Sequence, residues 1–268
     1  MAGKVVVVTG ASSGIGAALA RQLGARGETL VLAARRKELL EKVAAESNTR
    51  AISLVTDVTR RDDVTRLRDE ALGRYGHVDV WVNNAGRAIN TRVEELTDED
   101  VRSTIDVVLM STIYGMQAIL PHFKERGKGH VVNVSSLLGR VPFATHRSIY
   151  SACKSAVNIL SANARMDLRE KYPGVNISVV MPGIVDTPFH DIAGPSLPVR
   201  AGGFLGQARV ESADEVAQKI IGVIDSPVPE AYTNPAAQGI VSGYYADVGA
   251  FEEGFGNRSS PGPKSGSR

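Results

Sequence analysis

One cysteine, almost no net charge and no long apolar run set the first limits on this chain. Cys153 stands alone among 268 residues, so no intramolecular disulfide can form, and such sparing use of cysteine fits a reducing compartment. The 31 Lys and Arg nearly cancel the 29 Asp and Glu, and the remaining +2 gives no electrostatic case for a nucleic-acid partner. The N-terminal apolar run is the four valines 5–8, against the roughly 7–15 residues of a signal-peptide core. No stretch approaches the ~20 apolar residues that span a bilayer. The expectation is a cytoplasmic protein with no membrane partner. The 5 histidines are scattered, with no HxxxH or HExxH spacing, so no metal site is expected.

What is present reads as one globular unit. Hydrophobic residues make up 43% and charged residues 22%, which excludes a disordered chain, a coiled coil and a collagen-like repeat. Short β-branched runs at Lys4–Val8, Thr29–Ala33, Ala51–Val55, Val78–Val82, His130–Val134 and Asn176–Met181 are mostly continuous rather than alternating, the pattern of strands buried on both faces of a parallel sheet. Helical patterns lie between and after them, at Gly16–Arg26, Lys37–Glu46, Asp62–Tyr75, Asp98–Arg126, Ile149–Lys171 and Ala213–Asp225. Thr97–Asp100 and Ser212–Glu215 read as helix starts. Repeated β-α units with right-handed crossovers predict an α/β fold, a Rossmann-type doubly wound parallel sheet with helices on both faces. A single domain is expected over residues 1–253, with a Gly- and Pro-rich substrate lid at about 183–210. Residues 254–268, mostly Gly, Ser, Pro and basic, are expected to be a disordered tail.

The first strand runs into Thr9-Gly10-Ala11-Ser12-Ser13-Gly14-Ile15-Gly16, which opens the first helix. Glycine permits positive φ and a close backbone approach. The helix N-terminus offers free N–H groups and a positive dipole end to a pyrophosphate. An ordinary strand-turn-helix corner needs fewer glycines, so the turn points to a nucleotide.

This octapeptide resembles the fingerprint of the short-chain dehydrogenase/reductase family, in its single-domain branch. Asn83-Asn84-Ala85-Gly86, Tyr150-Ser151-Ala152-Cys153-Lys154 and Pro182-Gly183-Ile184-Val185-Asp186-Thr187 resemble three further family motifs, in the family's order, and the resemblance covers about residues 3–225. It implies a nicotinamide cofactor held by Gly10, Ser12, Ser13, Gly14, Ile15, Gly16, Asn84, Ala85 and Gly86. Asp57 and Val58 resemble the adenine-binding pair. Pro182, Gly183, Val185 and Thr187, with backbone near Ile184, would fix the nicotinamide carboxamide. An acid after the second strand would bond the 2′-hydroxyl of NAD, whereas arginine accepts the 2′-phosphate of NADP. Here stand Ala34-Arg35-Arg36-Lys37, with no acid before Glu38. The expected cofactor is NADP(H), with Arg35 as the main contact and Ser12, Ser13 and Arg36 as helpers.

Tyr150 and Lys154, four apart on a predicted helix, share one face. A tyrosine titrates near 10 in water, and a neighbouring ammonium or the charge of oxidised nicotinamide stabilises its phenolate. By resemblance Tyr150 is the acid/base, Lys154 also bonds the nicotinamide ribose, and Ser136 bonds the substrate oxygen. Ser136 lies 14 residues before Tyr150, one more than the family's usual spacing, so the loop Leu137–Ile149 is expected to carry an extra residue. Ser135 is then left to satisfy backbone at the strand end. One residue departs from the pattern: Val108 stands where the family usually places an asparagine that holds a proton-relay water. Valine offers no side-chain hydrogen bond. Ser111, one turn on, is the nearest substitute.

Candidate substrate walls are Leu138, Pro142, Phe143, His146, Phe189, Leu197 and Phe204, largely apolar and suited to hydrophobic carbonyl compounds. His146 and His190 are candidate substrate contacts, although isolated loop histidines are more often solvated. The implied activity is NADP(H)-dependent interconversion of a ketone or aldehyde and an alcohol. The alternative, motivated by Val108, is a non-catalytic NADP(H)-binding or sensing protein. An NAD-linked dehydrogenase would require Arg35 to be incidental. Nucleotide-sugar epimerases share the broad fold but carry a different glycine spacing and a larger C-terminal domain. The family's pairing through its two long helices implies a homodimer, with a homotetramer as the alternative. Ile105, Leu109 and Ile113 fit either that seam or the core.

Overall fold

The computed structural model describes residues 3–47, 50–187 and 209–256. Valines at consecutive positions of the first strand point alternately to the two faces of a sheet, and both faces are covered. Val6 and Val8 enter one core with Leu19, Leu30, Leu40 and Ile220, while Val5 and Val7 enter another with Trp81, Leu67, Ile119 and Phe123. That is why the strand runs read as unbroken apolar stretches.

The chain runs β1 (Val5–Thr9), α1 (Gly14–Ala25), β2 (Thr29–Ala34), α2 (Lys37–Ser47), β3 (Ala51–Val55), α3 (Arg61–Tyr75) and β4 (Val80–Asn83). Then follow α4 (Asp98–Thr104), a π-helical segment Ile105–Met110, α5 (Ser111–Arg126), β5 (Gly129–Val134), α6 (Ser148–Arg169) and β6 (Val175–Met181). The remainder comprises β7 (Val185–Asp186), β8 (Glu211–Ser212), α7 (Ala213–Asp225), β9 (Glu230–Tyr232), α8 (Ala237–Ala246) and α9 (Val248–Gly256). The main sheet has the order β3-β2-β1-β4-β5-β6-β9, every pair parallel. Chain order reverses between β1 and β4, and a crevice opens there beyond the carboxyl ends of the strands. The fold is the expected doubly wound α/β sheet. Thr97 with Asp100, and Ser212 with Glu215, form reciprocal capping boxes at the starts of α4 and α7.

Three expectations are corrected. The helix expected over Asp98–Arg126 is continuous, but its α-helical turns widen to π-helical ones at Ile105–Met110. There the Ser111 hydroxyl donates to the Val107 carbonyl at 2.6 Å and the Thr112 hydroxyl to the Val108 carbonyl at 3.0 Å. The run Asp98–Arg126 is also apolar and long enough, by composition, to cross a membrane. In this fold Thr104, Val108, Ile119 and Phe123 are buried within the domain. Residues 254–256 belong to α9 rather than to a disordered tail, and residues 257–268 lie outside the described residues.

His130 on β5 is buried, with Nε2 2.8 Å from the Ser178 hydroxyl, which donates onward to the Val228 carbonyl at 2.6 Å. Burial, with the nearby Lys4 charge, pushes its pKa down to about 4. The folded chain therefore resists the proton that an unfolded histidine accepts near pH 6.5, and stability falls as pH drops from about 6.5 towards 4. Between pH 7.5 and 4.5 the wild type should lose roughly 2–3 kcal/mol more unfolding free energy than His130→Gln, measured by urea denaturation. Equal losses would place the acid sensitivity elsewhere.

Candidate active site

The crevice at the switch point is a cleft of about 600 Å³. Its floor begins with the turn between β1 and α1. Gly10 and Gly14 adopt φ of 67° and 55°, in the left-handed region that side chains rarely accept. A Cβ on Gly10 would sit 2.8 Å from the Ala85 Cα. A Cβ on Gly16 would strike the Gly10 carbonyl and lie 2.6 Å from Asn84 Nδ2. Gly10, Ser12, Ser13, Gly14 and Ile15 line the cleft; Gly16 is absent from the described lining and serves the close packing beneath it. Asn84 Nδ2 donates to the carbonyls of Thr9 at 2.9 Å and Gly10 at 3.3 Å. The Thr9 hydroxyl accepts from the backbone of Asn84 and Ala85 and donates to the Val82 carbonyl. Thr9 is thus a positioning residue that the sequence reading left without a role.

At the end of β2 the two arginines are placed differently from one another. The Arg36 guanidinium donates to Ser12 Oγ at 3.0 Å and to Ser13 Oγ at 2.6 Å, gathering both hydroxyls at the mouth of the turn. Arg35 lines the same edge and is exposed. Asp57 and Val58 line the cleft beyond it; Asp57 Oδ1 also accepts from the Thr59 amide and hydroxyl, closing a local turn.

On the other side, Ser136, Tyr150 and Lys154 converge. The Tyr150 phenol is buried against the Ser136 hydroxyl, and Lys154 Nζ lies 5.6 Å from the phenol ring centre. Burial pushes the Tyr150 pKa up to about 12, opposed by the Ser136 hydrogen bond and the Arg147 charge. Burial drives Lys154 down to about 8, opposed by Cys153. Lys154 Nζ donates to the Val134 carbonyl at 2.7 Å. Ser135 turns away and donates to the Lys154 backbone carbonyl at 3.2 Å. α6 is held to the sheet by a buried polar chain: Trp81 Nε1 donates to Asn83 Oδ1 (2.8 Å), Asn83 Nδ2 to Asn133 Oδ1 (2.8 Å), and Asn133 Nδ2 to Ser161 Oγ (2.9 Å).

The expected asparagine position is fully closed. Val108 packs with Ala88, Leu138, Ala144, Tyr150 and Cys153, and its neighbour Val107 reaches the cleft instead. Ile105 and Leu109 pack against the same cluster, the core half of their two readings. Asn84, Ala85, Gly86, Pro182, Gly183, Ile184, Val185 and Thr187 complete the lining. Gly183 N donates to the buried Glu211 carboxylate at 3.2 Å, which also accepts from Thr233 Oγ1 at 2.7 Å. Leu138, Phe143 and His146 line the cleft, with burial and the Arg147 charge lowering the His146 pKa. Pro142 is exposed and absent from the described lining. Phe189, His190, Leu197 and Phe204, and most of the expected lid, lie outside the described residues. Ala144 and Arg147 join the lining without having been anticipated, because neither sits in a periodic or motif position.

The family model for short chain dehydrogenase matches residues 4–195. The chain belongs to this family. An uncharacterised oxidoreductase of Staphylococcus epidermidis is 30% identical over 224 residues, 84% of this chain and 92% of that protein. The oxidoreductase YxnA of Bacillus subtilis is 30% identical over 241 residues, 88% of this chain and 67% of the relative. Among solved structures, a short chain dehydrogenase/reductase from Burkholderia phymatum in complex with NAD superposes with a TM-score of 0.82 at 27% identity, covering 92% of this chain and 94% of that one. An alcohol dehydrogenase from the archaeon Thermococcus sibiricus, complexed with 5-hydroxy-NADP, gives 0.73 at 30% identity, covering 85% and 95%. This dehydrogenase is therefore an oxidoreductase of a nicotinamide-dependent family.

The residues present fit such a cofactor. Positive-φ glycines face the cleft, the N-terminus of α1 opens onto it, and the Ser13 side chain makes no capping bond there. Gly16→Ala should force α1 off the β4 loop, lowering unfolding free energy by about 1–3 kcal/mol and weakening binding of the reduced nicotinamide cofactor in a fluorescence titration. Unchanged stability would mean that α1 can shift freely.

Proposed function

We propose that this dehydrogenase interconverts a ketone or aldehyde and an alcohol with NADP(H), Tyr150 serving as the acid/base. The observation that carries the reading is the convergence of Tyr150, Ser136 and Lys154 in one cleft with the glycine turn. With its pKa at about 12, Tyr150 holds its proton at neutral pH and can give it to an oxygen gaining negative charge. Ser136 Oγ, beside the phenol, positions that oxygen. Lys154, at about 8, remains mostly protonated at pH 7 and stabilises the phenolate left behind. When bound, the nicotinamide supplies the hydride; Thr187 and the backbone near Ile184 would orient its carboxamide.

The preference for NADP(H) is supported by Arg35 and by the Arg36 fork on Ser12 and Ser13, a cationic, donor-rich edge that suits a 2′-phosphate and offers no carboxylate to a 2′-hydroxyl. NADPH oxidation at 340 nm against ketones and aldehydes should exceed NADH oxidation and be abolished by Tyr150→Phe. Arg36→Ala should raise the KM for NADPH about 10- to 100-fold and leave that for NADH nearly unchanged. Equal use of both cofactors would sink the NADP(H) assignment.

The buried Val108 supports a second reading, a protein that binds NADP(H) without turnover. Activity silent in the wild type and appearing in Val108→Asn would favour it.

A homodimer is proposed through the outer faces of α5 and α6, where Ile159 and Met166 are exposed on α6. Light scattering should give about twice the 28.5 kDa chain mass, reduced to one chain by Ile159→Asp.

A further inference from the structure

An isolated loop histidine is expected to lie in solvent, and His146 does not. It is only 6% exposed, and it lines the cleft together with Leu138, Phe143 and Tyr150. Its backbone is fixed from two sides. The His146 carbonyl accepts from Thr91 N at 2.8 Å, and the next residue, Arg147, pairs with Thr91 in a parallel β-bridge. The Arg147 amide donates to the Ala144 carbonyl at 2.8 Å, and Ala144 packs in the cluster of Leu138 and Tyr150. His146 is therefore built into the wall of the reacting end of the cleft, four residues before Tyr150.

The other described histidines have ring partners. His77 Nδ1 lies 3.1 Å from the Tyr75 carbonyl, His122 Nε2 accepts from the Val78 amide at 3.3 Å, and His130 Nε2 meets Ser178. Among the described residues nothing bonds the His146 ring. Its nitrogens are not sealed in, whereas His130 Nδ1 is enclosed without a partner. Burial and the Arg147 charge hold the His146 pKa below its ordinary value, so at pH 7 the ring is neutral, with one N–H donor and one bare nitrogen acceptor. Val107, Leu138, Phe143 and Ala144 give the surrounding wall no hydrogen-bonding side chain.

Filling such a site has a definite requirement. A wholly apolar ketone would strip water from the imidazole and return nothing, which costs free energy. A hydroxyl on the substrate restores the bond. It can donate to the bare nitrogen or accept from the N–H, so it suits either tautomer, which a second carbonyl oxygen does not.

We propose that His146 is a substrate-specificity residue and that the carbonyl substrate carries a hydroxyl group, bonded by the His146 ring while the carbonyl oxygen lies at Tyr150 and Ser136. This rests on the reductase reading above and narrows it from hydrophobic carbonyl compounds to hydroxyketones or hydroxyaldehydes with an apolar body. The hydroxyl takes no part in the bond changes: the hydride goes to the carbonyl carbon and the Tyr150 proton to its oxygen. The hydroxyl orients the carbonyl and raises affinity.

The test uses matched pairs, each a hydroxyketone and the ketone with hydrogen in place of the hydroxyl, the hydroxyl being moved stepwise along the chain from the carbonyl. With NADPH as reductant, the wild type should show a higher kcat/KM for the hydroxyketone of at least one pair. In His146→Leu that pair's ratio should fall about 10- to 100-fold, and His146→Gln, which keeps a donor and an acceptor, should retain part of it. Comparing variants cancels the hydroxyl's own effect on carbonyl reactivity. A His146 that only packs the loop would lower both members of the pair together and leave the ratio unmoved, which overturns the proposal. So would a wild type that favours the hydroxyl in no pair. Silence towards every carbonyl would count against the reductase reading itself. The hydroxyl subsite is then read without turnover, by calorimetric titration of the NADPH-loaded protein with the same pairs. Tighter binding of the hydroxyketone, lost in His146→Leu, upholds the subsite; equal binding of the two members in every pair removes it.

Discussion

The β1–α1 turn lies so close to the loop after β4 that no Cβ fits between them. Gly10 and Gly16 are required by this approach, and Asn84 and the Thr9 hydroxyl hold it from the other side. The rest of the site depends on this contact. It places the open N-terminus of α1 over the point where strand order reverses, so free N–H groups face the cleft. It also sets the floor against which Arg36, Ser12 and Ser13 gather on one side and the segment from Pro182 to Thr187 on the other. Thr187 closes the ring of contacts, since its methyl group would sit 3.3 Å from a Cβ on Gly14.

Much of this was legible because the physics is local. Strands covered on both faces are mostly apolar, as Val5–Val8 is throughout and Val131–Val134 is but for Asn133, whose amide enters the buried polar chain. Capping boxes are short-range exchanges between hydroxyl and carboxylate, and Thr97–Asp100 and Ser212–Glu215 spell them out. The glycine turn announces itself by residues that nothing else could replace. What escaped has no such local signature. β9 is three residues, Glu230-Ala231-Tyr232, without an apolar run, and becomes a strand because β6 offers it a partner. α8 and α9 contain Gly239, Gly243, Gly249 and Gly254, poor helix formers, and are stabilised by packing Ala237, Ile240, Tyr244 and Phe251 against Leu137, Val141 and Phe143. The π-helical turns at Ile105–Met110 leave the apolar content of the run intact, so a 3.6-residue period passes over them. Thr9 and Arg147 act from the ends of elements, where neither period nor motif speaks.

Those π-helical turns and Val108 bear on the same problem, the burial of charge. The Tyr150 cluster is small, and it stands apart from the two large apolar cores that flank the sheet. Into it the fold brings the ammonium of Lys154 beside a phenol, with the Arg147 guanidinium one turn away. Each of these groups costs free energy to remove from water unless it is hydrogen-bonded. The bonds are supplied by backbone and neutral side chains: the Val134 carbonyl for Lys154, Ser136 for Tyr150, Asn90 for Arg147. An asparagine at position 108 would add a further polar group to be satisfied in a cavity already crowded with them. Valine instead contributes apolar contact, and the wider turn leaves Val107 facing the cleft. The cluster thereby gains packing and gives up one hydrogen-bonding group beside Tyr150. An ammonium held in a buried pocket attracts a developing oxyanion more strongly than one in water. On the proposed mechanism, proton transfer from Tyr150 rests on the placement of Ser136 and Lys154 about the phenol.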